Sequence, residues 1–474
     1  MLHSTRGTAF HTSLSESQKK IEEESKMHTE LCLVLFSFLF FHNTEALRPP
    51  GVKTETFLSP PFYLKPGQVA NKYYFNIPFP KGHIALKSFN GEVVDEYDNP
   101  IPLHETYLHH WLVERYYGLK GSVPGNENDL SKIILVRNSG LCKHTLGQYY
   151  GLGSETRKTD TWVPDPYGIV VGNPEEVPAG YEERWLLNVH AIDTRGVTDR
   201  LGCTECRCNL YNVTVDEYGH EIRANYTGGL YCCYDETQCK LREGFESVTR
   251  KLFLKYTVEW VEWEPRTVPV KVYILDVTDT GTGPYRCMVE YEVKECNSEE
   301  RKNGGCIDTQ TMRLVMPHGG DIIYGVAHQH SGGAGSALYG QDGRLLCTSI
   351  PSYGNGKEAG NEANYIVGMS TCYPKPGSVK IADGETLTLI SNYSGNQMHT
   401  GVMGLFYILV AEEERPLPGP PKNMICFNSL LSWCIEMSVK TGAVFIAGVT
   451  LISIATISFY KLHRKNQYEA LATA

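Results

Sequence analysis

With 474 residues the chain is long enough for two or three domains and a sizeable core. Its 41% hydrophobic and 21% charged residues exclude wholesale disorder. A net charge of −10, with no Lys/Arg-rich block in the body of the chain, argues against a nucleic-acid partner, because such binding neutralises phosphates with clustered cations.

Near the N-terminus Leu31–Phe41 (LCLVLFSFLFF) is too short to span a bilayer but has the length of a signal-peptide core. Lys19, Lys20 and Lys26 precede it, and Thr44-Glu45-Ala46 offers small residues at a cleavage point. Met27 stands just before the run, so a start at Met1 or at Met27 stays open; residues 1–46 read as an N-terminal extension and signal peptide.

From about residue 50 to 415 short segments rich in Val, Ile, Leu, Thr and Tyr alternate with Gly, Pro, Asn and Asp, and no long amphipathic helix with clean caps is seen. The expected fold class is all-β: two consecutive antiparallel β-sandwich, jelly-roll-like domains, over 50–200 and 245–415. Between them residues 201–244 form a cysteine-rich insertion. A proline-rich juxtamembrane spacer, opening on Arg415–Lys422 (RPLPGPPK), extends over 416–440. Thr441–Tyr460 is uncharged and, at about 1.5 Å per residue, reaches about 30 Å, enough for a transmembrane helix. Lys461, His463, Arg464 and Lys465 follow it, so the tail 461–474 is expected in the cytoplasm. The expectation is a single-pass type I protein of the secretory pathway, at the plasma membrane with its bulk extracellular.

Cysteine usage points the same way. Of 15 Cys, Cys32 lies in the signal-like run and Cys426 and Cys434 lie beside the membrane segment. The others, Cys142, Cys203, Cys206, Cys208, Cys232, Cys233, Cys239, Cys287, Cys296, Cys306, Cys347 and Cys372, form an even set and read as disulfides of unassigned pairing. The spacing Cys203-x-x-Cys206-x-Cys208 also suits zinc or redox chemistry; in an oxidising compartment a disulfide-stapled insertion is the simpler expectation. Sequons at Asn212, Asn225 and Asn392 would carry N-glycans there.

The chemistry-bearing residues are histidines. His328 and His330, two apart, leave one face of a strand together and suit a metal. His109 and His110 are adjacent, so joint ligation requires a bulge or a strand end. His190 sits in an apolar segment, where a hydrogen-bonded core histidine is the ordinary reading. Imidazole suits copper, zinc or iron, and a thioether such as Met398 favours copper.

The order His109-His110, Val189-His190, His328-x-His330-x-x-Gly333 and then Met398 ahead of an apolar strand resembles the copper type II, ascorbate-dependent monooxygenases. That family includes peptidylglycine α-hydroxylating monooxygenase and dopamine β-hydroxylase. Leu152-Gly153-Ser154, Trp162-Val-Pro, Gly168–Gly172 and Ala327–Leu346 extend the likeness over about residues 100–410, the insertion excepted. The resemblance implies one copper on His109, His110 and His190, and a second on His328, His330 and Met398, with ascorbate as reductant and a C–H bond of an unknown small-molecule or peptide substrate hydroxylated by O2. Trp111, Asn188, Val326, Thr400 and Val402 depart from the peptide-hydroxylating members, Val326 replacing the Arg that anchors a substrate carboxylate. Over nearly the whole chain, from Tyr73–Ile77 and Lys81–Val94 to the C-terminal anchor, the sequence is similar to a plant family described as stress up-regulated and nodulin-like, which implies stress-linked expression.

Two other readings compete. A non-enzymatic cell-surface glycoprotein would keep the fold and metal binding while losing the anchoring positions. A zinc hydrolase would need a carboxylate base, for which Glu105 and Asp193 are the close candidates in sequence.

Overall fold

Strand Arg250–Glu262 shows how the segments fold: Leu252, Leu254, Tyr256, Val258 and Trp260, every second residue, are buried. A computed structural model describes residues 51–122, 133–142, 147, 149–302 and 306–412. The signal-like run, the proline-rich spacer, the 441–460 segment, the tail and Cys32, Cys426 and Cys434 lie outside these residues. Among the described residues no helix is long and apolar enough to cross a membrane.

The first described strands are β1 (Lys53–Leu58), β2 (Phe62–Leu64), β3 (Val69–Phe75), β4 (Ile84–Asp95) and β5 (Thr106–Leu119). Then come β6 (Ile133–Leu135), β7 (Tyr149–Leu152), β8 (Tyr167–Val171) and β9 (Tyr181–Asp193). Past the insertion lie β10 (Arg250–Glu262), β11 (Val268–Pro269), β12 (Lys271–Asp276) and β13 (Glu290–Val293). Next are β14 (Ile307–Val315), β15 (Gly320–Gln329), β16 (Gly333–Tyr339), β17 (Leu345–Ser349) and β18 (Pro351–Tyr353). The last are β19 (Ile366–Met369), β20 (Lys380–Ile381), β21 (Thr386–Ser394) and β22 (His399–Glu412). The described helices are short, such as Arg200–Thr204, Cys208–Tyr211 and Ser298–Lys302, so the all-β expectation holds.

Two sheets, β1-β10-β4-β8-β11 and β3-β9-β5-β6, pack as a first sandwich. Its core holds Phe89 edge-on to Trp111 at 6.1 Å. A Cβ on Gly91 would come within 2.8 Å of the Trp111 indole, so glycine there lets the large ring lie against β4. The sheets β12-β22-β15-β20 and β14-β21-β16-β17 form the second sandwich, with Tyr291 and Tyr393 in its core, edge to face at 5.8 Å.

The sheets divide the chain differently from the expected boundary at residue 245. β10 pairs with β1, β2 and β4, and β11 runs parallel to β8, so both belong to the first sandwich, and the second begins at β12. β1 and β4 are not neighbours, and β10 supplies the hydrogen-bonding partner that both edges need. The insertion is thus an excursion made before the first sandwich is complete.

β22 is buried on both faces. One face packs inside its own sandwich; on the other, Tyr407 and Leu409 line one cavity with Tyr324 and Val326 of β15 and with Phe89, Tyr150 and Leu152 of the first sandwich. This explains why β15 and β22 read as apolar runs rather than alternating ones. Across the same junction the Tyr324 hydroxyl donates to the Asp160 carbonyl (2.9 Å), and Arg157 pairs with buried Glu362 (3.3 Å).

All twelve cysteines of the expected set are paired. Cys203–Cys239, Cys206–Cys233 and Cys208–Cys232 staple the insertion, and Cys142–Cys287, Cys296–Cys306 and Cys347–Cys372 complete the set. The Cys203-x-x-Cys206-x-Cys208 motif is therefore consumed by disulfides.

Candidate metal centre

β5 and β9 run antiparallel with His110 directly opposite His190, and the register shifts between Leu108 and His110. That bulge is the device adjacent histidines require, since the extra residue lets both rings leave the same side of the strand. His109, His110 and His190 each bring a ring nitrogen within 4.8 Å of the others. Trp111 turns the other way, into the core, and its indole donates to Thr156 Oγ1 at 2.7 Å.

On β15 the ordinary period of a strand suffices. The rings of His328 and His330 lie 5.1 Å apart, while Gln329 between them turns inward to donate to Ser391 Oγ and accept from the Gly335 amide. The His330 ring stands 4.3 Å from that of His109. The two groups therefore meet as one cluster of five imidazoles across the junction of the sandwiches. His109, His190, His328 and His330 are buried, and His110 is partly so.

Each partner on the far side of a ring decides its tautomer. The Asn188 amide nitrogen donates to Asn71 Oδ1 and the Lys72 carbonyl, which turns Asn188 Oδ1 to His110 Nε2 as an acceptor at 2.9 Å. The Cys233 carbonyl accepts from His190 Nε2 (3.1 Å), and the Gly401 carbonyl accepts from His330 Nδ1 (3.0 Å). Glu155, fully buried on the 3-10 turn Ser154–Lys158, accepts from His328 Nδ1 at 2.6 Å through Oε1 and from the Gly153 amide through Oε2. His110 and His190 are left with Nδ1 as the basic atom, and His328 and His330 with Nε2. His109 Nε2, His190 Nδ1, His328 Nε2 and His330 Nε2 are all buried without a hydrogen-bond partner.

Four orphaned imidazole nitrogens in one place are expensive unless something binds them. Burial, reinforced by neighbouring imidazoles, holds His109, His190 and His330 well below the usual histidine range, and burial brings His110 down to about 4. His109, His110, His190 and His330 are therefore neutral at physiological pH, as metal ligation requires. A basic nitrogen facing inward and an N–H held by an amide, carbonyl or carboxylate behind is the arrangement of histidines that ligate metals. The donor set fits copper or zinc.

Met398 is half-buried just before β22, and its carbonyl accepts from Arg207 Nη2 at 3.2 Å. The next ring, His399, is buried against Glu205 Oε1 (2.5 Å). A Cβ on Gly332 would meet that ring at 2.5 Å, which accounts for glycine in the turn after His330. The carboxylates weighed for hydrolysis are committed elsewhere, Glu105 to Arg250 and Asp193 to Arg195. The carboxylate at the centre is Glu155, which spacing did not single out, although it follows the Leu152-Gly153-Ser154 stretch directly. The glycine of that stretch has a steric cause: a Cβ on Gly153 would sit 2.5 Å from the His109 carbonyl and 2.8 Å from His328 Cε1.

The insertion also reaches the centre, which nothing in the sequence signalled. Cys233 holds His190, Glu205 holds His399, and Arg207 holds the backbone of Met398. The Cys206–Cys233 disulfide lies beside His190, Cys233 Sγ being 3.8 Å from His190 Nε2.

The profile of the family described as stress up-regulated Nod 19 matches residues 50–413, and the chain belongs to that family. No curated protein matches it significantly. Among solved structures, infectious bursal disease virus VP2 from a subviral particle shares 12% identity over 77% of this chain and 73% of its own, with a TM-score of 0.18. The Cry4Aa toxin of Bacillus thuringiensis shares 9% over 69% and 58%, at 0.18, and procruciferin, an 11S globulin of Brassica napus, 8% over 78% and 79%, at 0.09. Scores this low carry no argument about fold or activity.

Proposed function

We propose that this member of the stress up-regulated Nod 19 family is an exported, membrane-anchored copper protein whose histidine cluster serves ascorbate-driven oxidation by O2. The observation that supports it is the set of orphaned imidazole nitrogens on His109, His190, His328 and His330, each of the last three rings backed by a fixed acceptor on its opposite side. Copper bound there would supply one-electron chemistry and O2 activation. The chain's own residues do the rest. His110 and His190 present Nδ1, and His328 and His330 present Nε2. Glu155 fixes and enriches His328, and burial keeps bulk water from His109, His190, His328 and His330.

The test is metal content and reductant consumption of the purified full chain. About two coppers per chain together with ascorbate-dependent O2 uptake supports the reading; protein that takes up no copper sinks it.

One observation favours a second reading, a non-enzymatic metal-binding surface glycoprotein. The positions at which the peptide-hydroxylating monooxygenases that the sequence resembles would hold a substrate are spent on packing: Val326 and Val402 are buried, and the Thr400 hydroxyl donates to the Glu205 carbonyl at 2.7 Å. Copper without O2 uptake selects this reading. Asn212 and Asn225 are exposed and Asn392 is half-buried, so the first two offer the more accessible glycan sites.

A further inference from the structure

His109 differs from the other four rings. His110, His190, His328 and His330 each give one nitrogen to a protein acceptor: Asn188 Oδ1, the Cys233 carbonyl, Glu155 Oε1 and the Gly401 carbonyl. His109 has no acceptor outside the cluster; its one hydrogen bond is to the ring of His110. Its Nδ1 lies 3.3 Å from Nδ1 of His110, and its Nε2 is buried without a partner. The ring stands between the two groups, 4.5 Å from that of His190 and 4.3 Å from that of His330.

We propose that His109 is a bridging ligand, holding one copper through Nδ1 beside His110 and His190, and a second through Nε2 beside His328 and His330. The inference rests on the copper reading and deepens it, because two separate three-ligand sites become one dinuclear centre. Donor counting supports it. Without His109 each group offers two basic nitrogens, and with it each offers three, with no need of the Met398 thioether. The bulge gains a purpose as well, since the residue it adds to β5 is the one whose ring reaches both sandwiches. The proton balance is closed: a neutral imidazole ring that binds metal at both nitrogens releases its remaining N–H proton to solvent, and two dications compensate the imidazolate charge.

The bridge is read by counting metal and unpaired electrons on the same sample. The full chain loaded with Cu(II) should hold two coppers, yet its integrated paramagnetic resonance signal should fall well short of two spins, because a bridging imidazolate couples the electrons. His328→Ala should leave one copper with its full one-spin signal, and Met398→Ala should leave both the copper count and the coupling unchanged. His109→Ala should abolish the coupling, with near-ultraviolet circular dichroism checking that the variant is folded; the spin count of the unmodified chain tests the bridge without any variant. Two coppers with a full two-spin signal overturn the bridge and leave the copper reading intact. A single copper shared by all five rings overturns the bridge alone, whereas a chain that binds no copper overturns both.

Discussion

In the first sandwich two adjacent residues, His109 and His110, share a face because a bulge adds one residue to β5 opposite β9. In the second, His328 and His330 share a face by the plain alternation of β15. The partners behind the rings differ too. Neutral acceptors, Asn188 and the Cys233 carbonyl, back the first group; the second has the Gly401 carbonyl and a buried carboxylate, Glu155. One group thus depends on backbone register and the other on charge.

Register should be the more fragile. Deleting Leu108 removes the bulge and returns His109 and His110 to opposite faces, so copper bound by the first group should be lost altogether, as metal analysis would show. Charge comes next. Glu155→Gln keeps an acceptor on His328 but removes its negative charge, and copper affinity of the second group should fall roughly 10–100-fold in a competition titration, with Asn188→Ala costing the first group less. If Asn188→Ala proves the more damaging, the assignment of charge to the second group is wrong.

Gly153→Ala tests the point where the groups touch. Its methyl would press on the His109 carbonyl and His328 Cε1, costing about 1–3 kcal/mol in denaturant unfolding and weakening copper retention. The pH dependence of metal-free protein tests the burial of the whole cluster. His110 titrates at about 4 when folded against 6.5 ordinarily, and His109, His190 and His330 are shifted the same way. The unfolded chain therefore binds protons first as pH falls below about 6.5, so stability is full above that value and declines towards pH 4. Melting temperatures that stay flat across this window would contradict the burial of the cluster.

Much of this was legible in sequence because it depends on short-range pattern. Period-two alternation in Arg250–Glu262 and Thr386–Ser394 marks strands, the even set of cysteines marks disulfides, and the pair His328 and His330 marks a face. Adjacent histidines carried a conditional message, that a bulge must exist if both serve one site, and β5 has it. Glu155 carried no such message, since nothing distinguishes a carboxylate that meets a histidine 173 residues away until the sandwiches pack.

The same line divides what each level determines. By itself the sequence settles the all-β class, the twelve-cysteine set and which histidines are candidates, since those follow from residue type and local spacing. Tertiary structure alone decides that β10 completes the first sandwich, that the insertion supports His190 and His399, and that the two histidine groups meet at His109. Those contacts join residues far apart in the chain, and only the packing of sheet against sheet brings them together.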